Sequence, residues 1–218
     1  MKKQTTLRWA AFSLILLFSS AAGKAQSLKD FFSSESTSAL WLGIDFTKNK
    51  LIDEPTANLS DIRDRQYNGL NELIIDEGKK YNLKSAFHRS SELDHDVNYV
   101  NDRNTKVNED DMKSTNTSDF HRLKEEDISN LVRGYDLKGK KGIGILMVSE
   151  AMGKSEKAIA LWVVIIDMST KKVLMTDRLE GKVSMGFGFR NFWAAGIKSV
   201  IEQIEKKKYK EWKAKAGA

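Results

Sequence analysis

Between Gly142 and Ile166 the chain carries two nearly uninterrupted apolar runs, Gly142 to Val148 and Ala158 to Ile166. Runs of this length without polar alternation predict strands covered on both faces, so they are placed at the centre of a sheet. Ala39 to Phe46 reads as an earlier buried strand, closed by the polar stretch around Lys48 to Lys50. Val173 to Glu180 contains polar residues and follows a turn at Asp167 to Lys172, which predicts an antiparallel strand nearer the edge.

Helical spacing recurs twice. Ile62, Leu70, Leu73, Ile74 and Tyr81 predict an amphipathic helix over 61–81 with Ser60 as its N-cap, and Phe189, Trp193, Ile197, Val200, Ile201 and Ile204 predict another over 189–208. Both stripes are expected on the same face of the sheet. Glu125 to Val132 reads as a short helix with acidic residues in its first turn. Residues 82–121 are rich in Asn, Asp, Ser and Lys; a strand near Ser85 to His88 followed by short helical pieces is expected there. The fold class is therefore α/β with mixed α+β character: one mixed sheet ending in a C-terminal antiparallel hairpin, packed by two long amphipathic helices.

The first 25 residues change the compartment. Lys2, Lys3 and Arg8 precede an apolar run from Trp9 to Phe18, and Gly23 to Ala25 offers small residues at a cleavage point, the order of a signal peptide. The expected organisation is a signal peptide at 1–25, one domain at 26–208 and a basic tail at 209–218. The mature protein is then expected in the periplasm or outside the cell. A run this short does not suit a permanent span, which needs roughly 20 apolar residues. With no cysteine in the chain, a lipid anchor through a thioether, disulfides, thiol nucleophiles and thiolate metal sites all fall away.

Charge changes the picture less than the full chain suggests. Removing Lys2, Lys3, Arg8 and Lys24 takes 36 basic residues to 32 against 30 acidic ones, a net of +2 rather than +6. No nucleic-acid partner is expected from that balance. The remaining basic bias sits at Lys206, Lys207, Lys208, Lys210, Lys213 and Lys215. It reads as a solvated helix end, and membrane association is expected to be at most peripheral through this C-terminus.

The residues with chemical interest are few. Gly186 to Asn191 (GFGFRN) lies between a strand and a helix, where backbone N–H groups can receive an anion, but it lacks the third glycine of a dinucleotide fingerprint. Gly186 and Gly188 read as a tight bend with Phe187, Phe189 and Phe192 as core, and Gly186, Gly188, Arg190 and Asn191 are the candidate binding residues. Lys138 to Gly142 has no Ser or Thr after a glycine-lysine pair, so it is no phosphate-binding P-loop. Glu92, Asp94, His95 and Asp96 form an oxygen-rich cluster without metal-site spacing, and neither metal nor cofactor is expected. No Gly-x-Ser-x-Gly elbow surrounds Ser155 or Ser184. Asp45, inside an apolar strand, is read as facing the solvent edge of the sheet or as hydrogen-bonded to a neighbouring turn, in preference to a catalytic role, and Asp167 as a turn former.

The C-terminal strand, hairpin and helix, with Asp167 opening the turn and Gly181 ending the last strand, resemble small α/β domains of the bacterial envelope. These are the curli secretion lipoprotein, the N-terminal domain of the Tol-system periplasmic protein and lipoprotein activators of cell-wall synthases. The likeness covers roughly the last 80 residues, with Ala39 to Phe46 as a first strand. This chain departs from most of those domains in lacking the lipid-bearing cysteine. The whole chain also resembles a family of secreted bacterial proteins, which implies no activity. The resemblance implies a non-enzymatic binding or assembly component with an envelope protein as partner. The alternative is a secreted hydrolase of envelope polymers with an acidic site within residues 85–121, so the sequence leaves catalysis open.

Overall fold

A computed structural model of the protein describes residues 27–183 and 186–218. The expected signal peptide and Ser184 lie outside them. In chain order the elements are α1 (Leu28–Ser33), β1 (Ala39–Asp45), β2 (Lys50–Ile52), α2 (Leu59–Asp61), α3 (Tyr67–Asp76), α4 (Leu83–Ala86), β3 (Asp94–His95), α5 (Asn98–Asn104), β4 (Lys113–Ser114), α6 (Glu125–Arg133), β5 (Ile143–Gly153), β6 (Ala158–Asp167), β7 (Lys172–Lys182), α7 (Gly188–Gln203) and α8 (Tyr209–Lys215). The fold is mixed α/β.

β1 and β2 lie end to end along one edge of β5, both parallel to it, with Asp45 opposite Val148 and Lys50 opposite Ala151. The short strands β3 and β4 add parallel pairs outside them, at Leu40 and Trp41 and at Leu51 and Ile52. The other edge of β5 pairs antiparallel with β6, and β6 with β7.

Alternation along the strands divides two cores. Ile145 and Met147 of β5, Leu161 and Val163 of β6, and Trp41 and Ile44 of β1 face Tyr67, Leu70, Ile74, Trp193, Ile197 and Val200. Leu146, Val148, Val164, Ile166 and Leu42 face Ile128, Leu131, Val132, Tyr135 and Leu137. Both faces of β5 and β6 are thus covered, which is why their sequences show no polar alternation. α7 lies close on the sheet because Gly181 and Gly196 meet there: a Cβ on Gly196 would stand 2.7 Å from Ile159 Cγ2.

Several sequence expectations need correction. The first long helix starts at Leu59, with Asn58 and not Ser60 accepting from the Asp61 N–H, and ends at Asp76, leaving Tyr81 buried in the following loop. Ser85 and its neighbours are helical in α4, capped by Asn82, where a strand was expected. Residues 209–218 are no tail: the helix continues through α8 and buries Tyr209 and Trp212. Each long helix contains a π turn, Ile62–Gln66 and Ile204–Lys208. Each turn separates two buried apolar residues by five positions, Ile62 from Tyr67 and Ile204 from Tyr209. One extra residue in the turn keeps both on the core face.

Residues 82–121 are folded into the body of the protein, with Val100, Asn104, Met112 and Phe120 buried. One of their asparagines completes the β1 edge where β3 stops. The Phe46 N–H donates to Asn104 Oδ1 at 2.8 Å, and Asn104 Nδ2 donates to the Ile44 carbonyl at 3.2 Å. Residues 101–118 are therefore part of the core boundary.

Candidate functional site

Gly186 and Gly188 line a cavity of about 320 Å³ at the start of α7, together with Phe189, Phe192, Trp193, Lys154, Glu54 and Asp61. Gly188 has φ +77°, a left-handed conformation natural to glycine, and so turns the chain into the helix. Phe187, the N-cap residue, makes no side-chain cap and is 95 % exposed, the one large hydrophobic so exposed among the described residues. The Phe192 ring packs edge-on against Trp193 at 4.9 Å, Phe189 does so at 6.3 Å, and the Lys154 ammonium sits 5.4 Å over Phe192. The buried Trp193 Nε1–H has no hydrogen-bond partner among the described residues.

Arg190 and Asn191 do not line this cavity. The Arg190 guanidinium lies against Gly69 of α3, with Nε donating to Gln66 Oε1 at 3.3 Å, and Asn191 Nδ2 turns back to the Phe187 carbonyl at 3.3 Å. The Gln66 side chain also donates to Asp61. That bond, helped by Arg65 and by the charge of Arg190, holds the Asp61 carboxyl below the usual range. With Asp61 and Glu54 on its wall, the cavity opposes an anion at the α7 N-terminus, and the aromatic side chains define its chemistry.

The three histidines are dispersed. His88 stacks on Tyr209 at 4.1 Å, His121 stands 3.8 Å from Glu180, and His95 with Glu92 and Asp94 borders a cavity of about 670 Å³ over Trp41, Ile74 and Tyr81. Among the described residues no group of His, Asp and Glu is placed to hold a metal ion. Asp96 is paired with Lys140 at 3.0 Å. Burial pushes its carboxyl upward, but the Lys140 and Asn98 hydrogen bonds outweigh this and hold it below its ordinary value.

Two carboxylates are fully buried on the α6 side of the sheet. Asp45 Oδ1 accepts from the Thr47 N–H at 2.7 Å and its hydroxyl at 2.5 Å, as a turn-forming aspartate does. Its Oδ2 accepts from the Tyr135 hydroxyl at 2.6 Å and from Arg103 Nε at 3.2 Å. Burial, followed by the Asp45 charge, pushes the Tyr135 hydroxyl well above its usual pKa. Glu150, in the β5 bulge, accepts from the Leu123 N–H at 2.5 Å, Trp162 Nε1 at 3.2 Å and Arg178 Nε at 2.6 Å. Asp167 accepts from the Ser169 and Thr170 N–H groups, closing the β6–β7 turn.

Glu150 and Arg103 were missed by sequence reasoning. The one available signal for Glu150 was a lone carboxylate just after an apolar run, and for Arg103 there was none, since its partner Asp45 is 58 residues away. Comparison with family models, curated proteins and solved structures found no match for the chain. Functional conclusions therefore come from the geometry and chemistry of these side chains.

Proposed function

We propose that the chain is an exported, non-enzymatic binding or assembly component of the cell envelope, docking a protein partner at the aromatic start of α7. One observation carries this: Phe187 stands 95 % exposed beside Phe189, Phe192 and the unpartnered Trp193 indole. An exposed aromatic costs solvation unless a partner covers it, and aromatic anchors entering pockets carry much of the energy of protein interfaces. No helix among the described residues is long and apolar enough to cross a membrane. At the C-terminal helix end, Glu202, Glu211 and Asp177 pair with Lys206, Lys207 and Lys208. Lys210, Lys213 and Lys215 remain for peripheral contact with an anionic surface.

The hydrolase alternative needs a protonated acid among residues 85–121. The resolved shift there, at Asp96, runs downward and does not supply one. The test is a photocrosslinking residue at position 187 in the producing cell, read by mass spectrometry of the envelope fraction. One dominant envelope protein is expected, and Phe187→Asp should abolish its co-purification while thermal stability is retained. Crosslinks spread over unrelated proteins, or co-purification unaffected by Phe187→Asp, would overturn the reading. The same preparation gives the mature N-terminus, expected at Gln26.

A further inference from the structure

A third cavity, of about 590 Å³, lies beside the end of α6 and is built around Arg103. The guanidinium there is fixed in two ways. Its Nε is held by the fully buried Asp45, and its plane lies over the Tyr135 ring with Cζ 4.7 Å from the centroid. Tyr135 is itself fixed by its hydroxyl on Asp45. The Nη1 and Nη2 groups have no hydrogen-bond partner among the described residues, and the side chain is 33 % exposed. Arg103 and Tyr135 both line the cavity. Such a guanidinium presents two parallel donors of the spacing that a carboxylate accepts, already oriented before a ligand arrives.

The rest of the wall decides the ligand's charge. Lys140 and Asp96 pair with each other across the rim. Lys106 and Lys138 stand on the same wall as Asp102 and Asp136, whose carboxylates have no basic side-chain partner among the described residues. The turn carrying Lys138 has φ +49° at that residue, and Asp136 Oδ1 accepts its N–H at 3.0 Å, so the rim is locally constrained. With Asp45 included, four basic side chains are balanced by four carboxylates. A phosphate or polyanion meets no net positive field in such a site, whereas a molecule carrying both charges finds a complement for each.

We propose that this basin binds a zwitterion, an amino acid or short peptide with free ends, its carboxylate on the outer edge of the Arg103 guanidinium and its ammonium against Asp102 and Asp136. The proposal is independent of partner docking at Phe187, which involves a different cavity. It gives the buried Asp45 a role as a positioning residue, holding the arginine fork without touching the ligand.

The experiment titrates the purified full chain with alanyl-alanine, its N-acetyl form, its C-terminal amide and inorganic phosphate, by calorimetry and by amide NMR. Alanyl-alanine is expected to bind with shifts concentrated at residues 98–106 and 134–140, and each capped form to bind about tenfold or more weakly. Asp102→Asn with Asp136→Asn, at the rim, should weaken alanyl-alanine and leave the acetylated form unchanged. Arg103→Lys should lose both, with circular dichroism confirming the fold; should it fail to fold, the rim double variant decides. Equal binding of the acetylated form, tighter binding of phosphate, an unaffected rim variant, or no shifts at about 10 mM dipeptide would each overturn the proposal.

Discussion

The Asn71 carboxamide grips the peptide groups of Ile44 from both directions: the Ile44 N–H donates to Asn71 Oδ1 at 2.7 Å and Asn71 Nδ2 donates to the Ile44 carbonyl at 3.1 Å. One side chain from α3 does for the outer edge of β1 what a neighbouring strand would do, beyond the point where β3 stops. Asn71 is fully buried, so its loss strands the Ile44 N–H away from water, while the Ile44 carbonyl keeps its bond from Asn104 Nδ2. Asn71→Ala is expected to lower stability by about 1–3 kcal/mol. In urea titration the midpoint should fall with the slope unchanged; an unmoved midpoint would show that water replaces the carboxamide.

Arg178 supports Glu150 in a comparable way from β7, with its Nε on the carboxylate at 2.6 Å and Nη2 on the Phe120 carbonyl. Arg178→Met leaves a buried carboxylate facing two neutral donors, and a cost of about 3–5 kcal/mol is expected. Glu150→Gln keeps an oxygen for the Leu123 N–H, gives up the one that accepts from Trp162, and removes the buried charge, so it should cost less. Equal losses in the two variants, measured by thermal and denaturant melts, would show that packing and not charge holds the pair.

The Asp96–Lys140 pair predicts an acid-side dependence. Asp96 is held below its ordinary value of 3.8 in the folded chain, so its contribution is complete above that value and is lost as the pH falls through the depressed one. Lys140 is raised above 10.5, chiefly by the Asp96 hydrogen bond, so its share is complete below that value and fades as the pH rises past the raised one. Asp96→Asn should therefore melt earlier than the unaltered chain at neutral pH and converge with it towards about pH 2. A difference that persists undiminished in acid would assign the effect to something other than this charge.

Removing residues 209–218 should destabilise the protein, because Tyr209 meets Phe32 at 5.2 Å and its hydroxyl accepts from Arg89 Nη2 at 2.8 Å, while Trp212 Nε1 donates to Asp177 at 2.9 Å. A loss of about 3–5 kcal/mol is expected for Trp212→Ala alone. Full retention of the melting temperature in the truncated chain would contradict the burial of these rings. Deletion of 101–118 is likewise expected to abolish cooperative unfolding, since it removes Asn104 and Met112 from the core boundary.

How much of this was legible in the sequence depends on whether the signal was local. Ile143 to Val148 and Ala158 to Ile166 announced themselves as central strands because burial on both faces leaves no polar positions to confuse the pattern. Glu125 to Val132 was readable as a helix from its acidic first turn and three apolar residues. Tyr67 and Tyr209 escaped because a π turn shifts the apolar stripe by one residue, so a 3.6-residue period excludes them. The strands β2, β3 and β4 are two or three residues long and have no period at all. Gly186 and Gly188 could be singled out as a bend, but the neighbours that make a cavity of it, Glu54 and Asp61, are more than a hundred residues away. Arg103 acquires its interest from Asp45 and Tyr135, which only the fold brings together.

Phe32 near the start of the described chain and Tyr209 near its end pack ring against ring, and Arg89 bridges them from the middle with one nitrogen on the Tyr209 hydroxyl and another on the Ser34 carbonyl. This three-part clasp cannot close while the chain is still emerging from a ribosome or threading a narrow channel. Until the final helical turns are free, the α3 and α7 face of the sheet has an open seam beside Phe31 and Phe32. This face of the sheet therefore closes only when the last helical turns have been made.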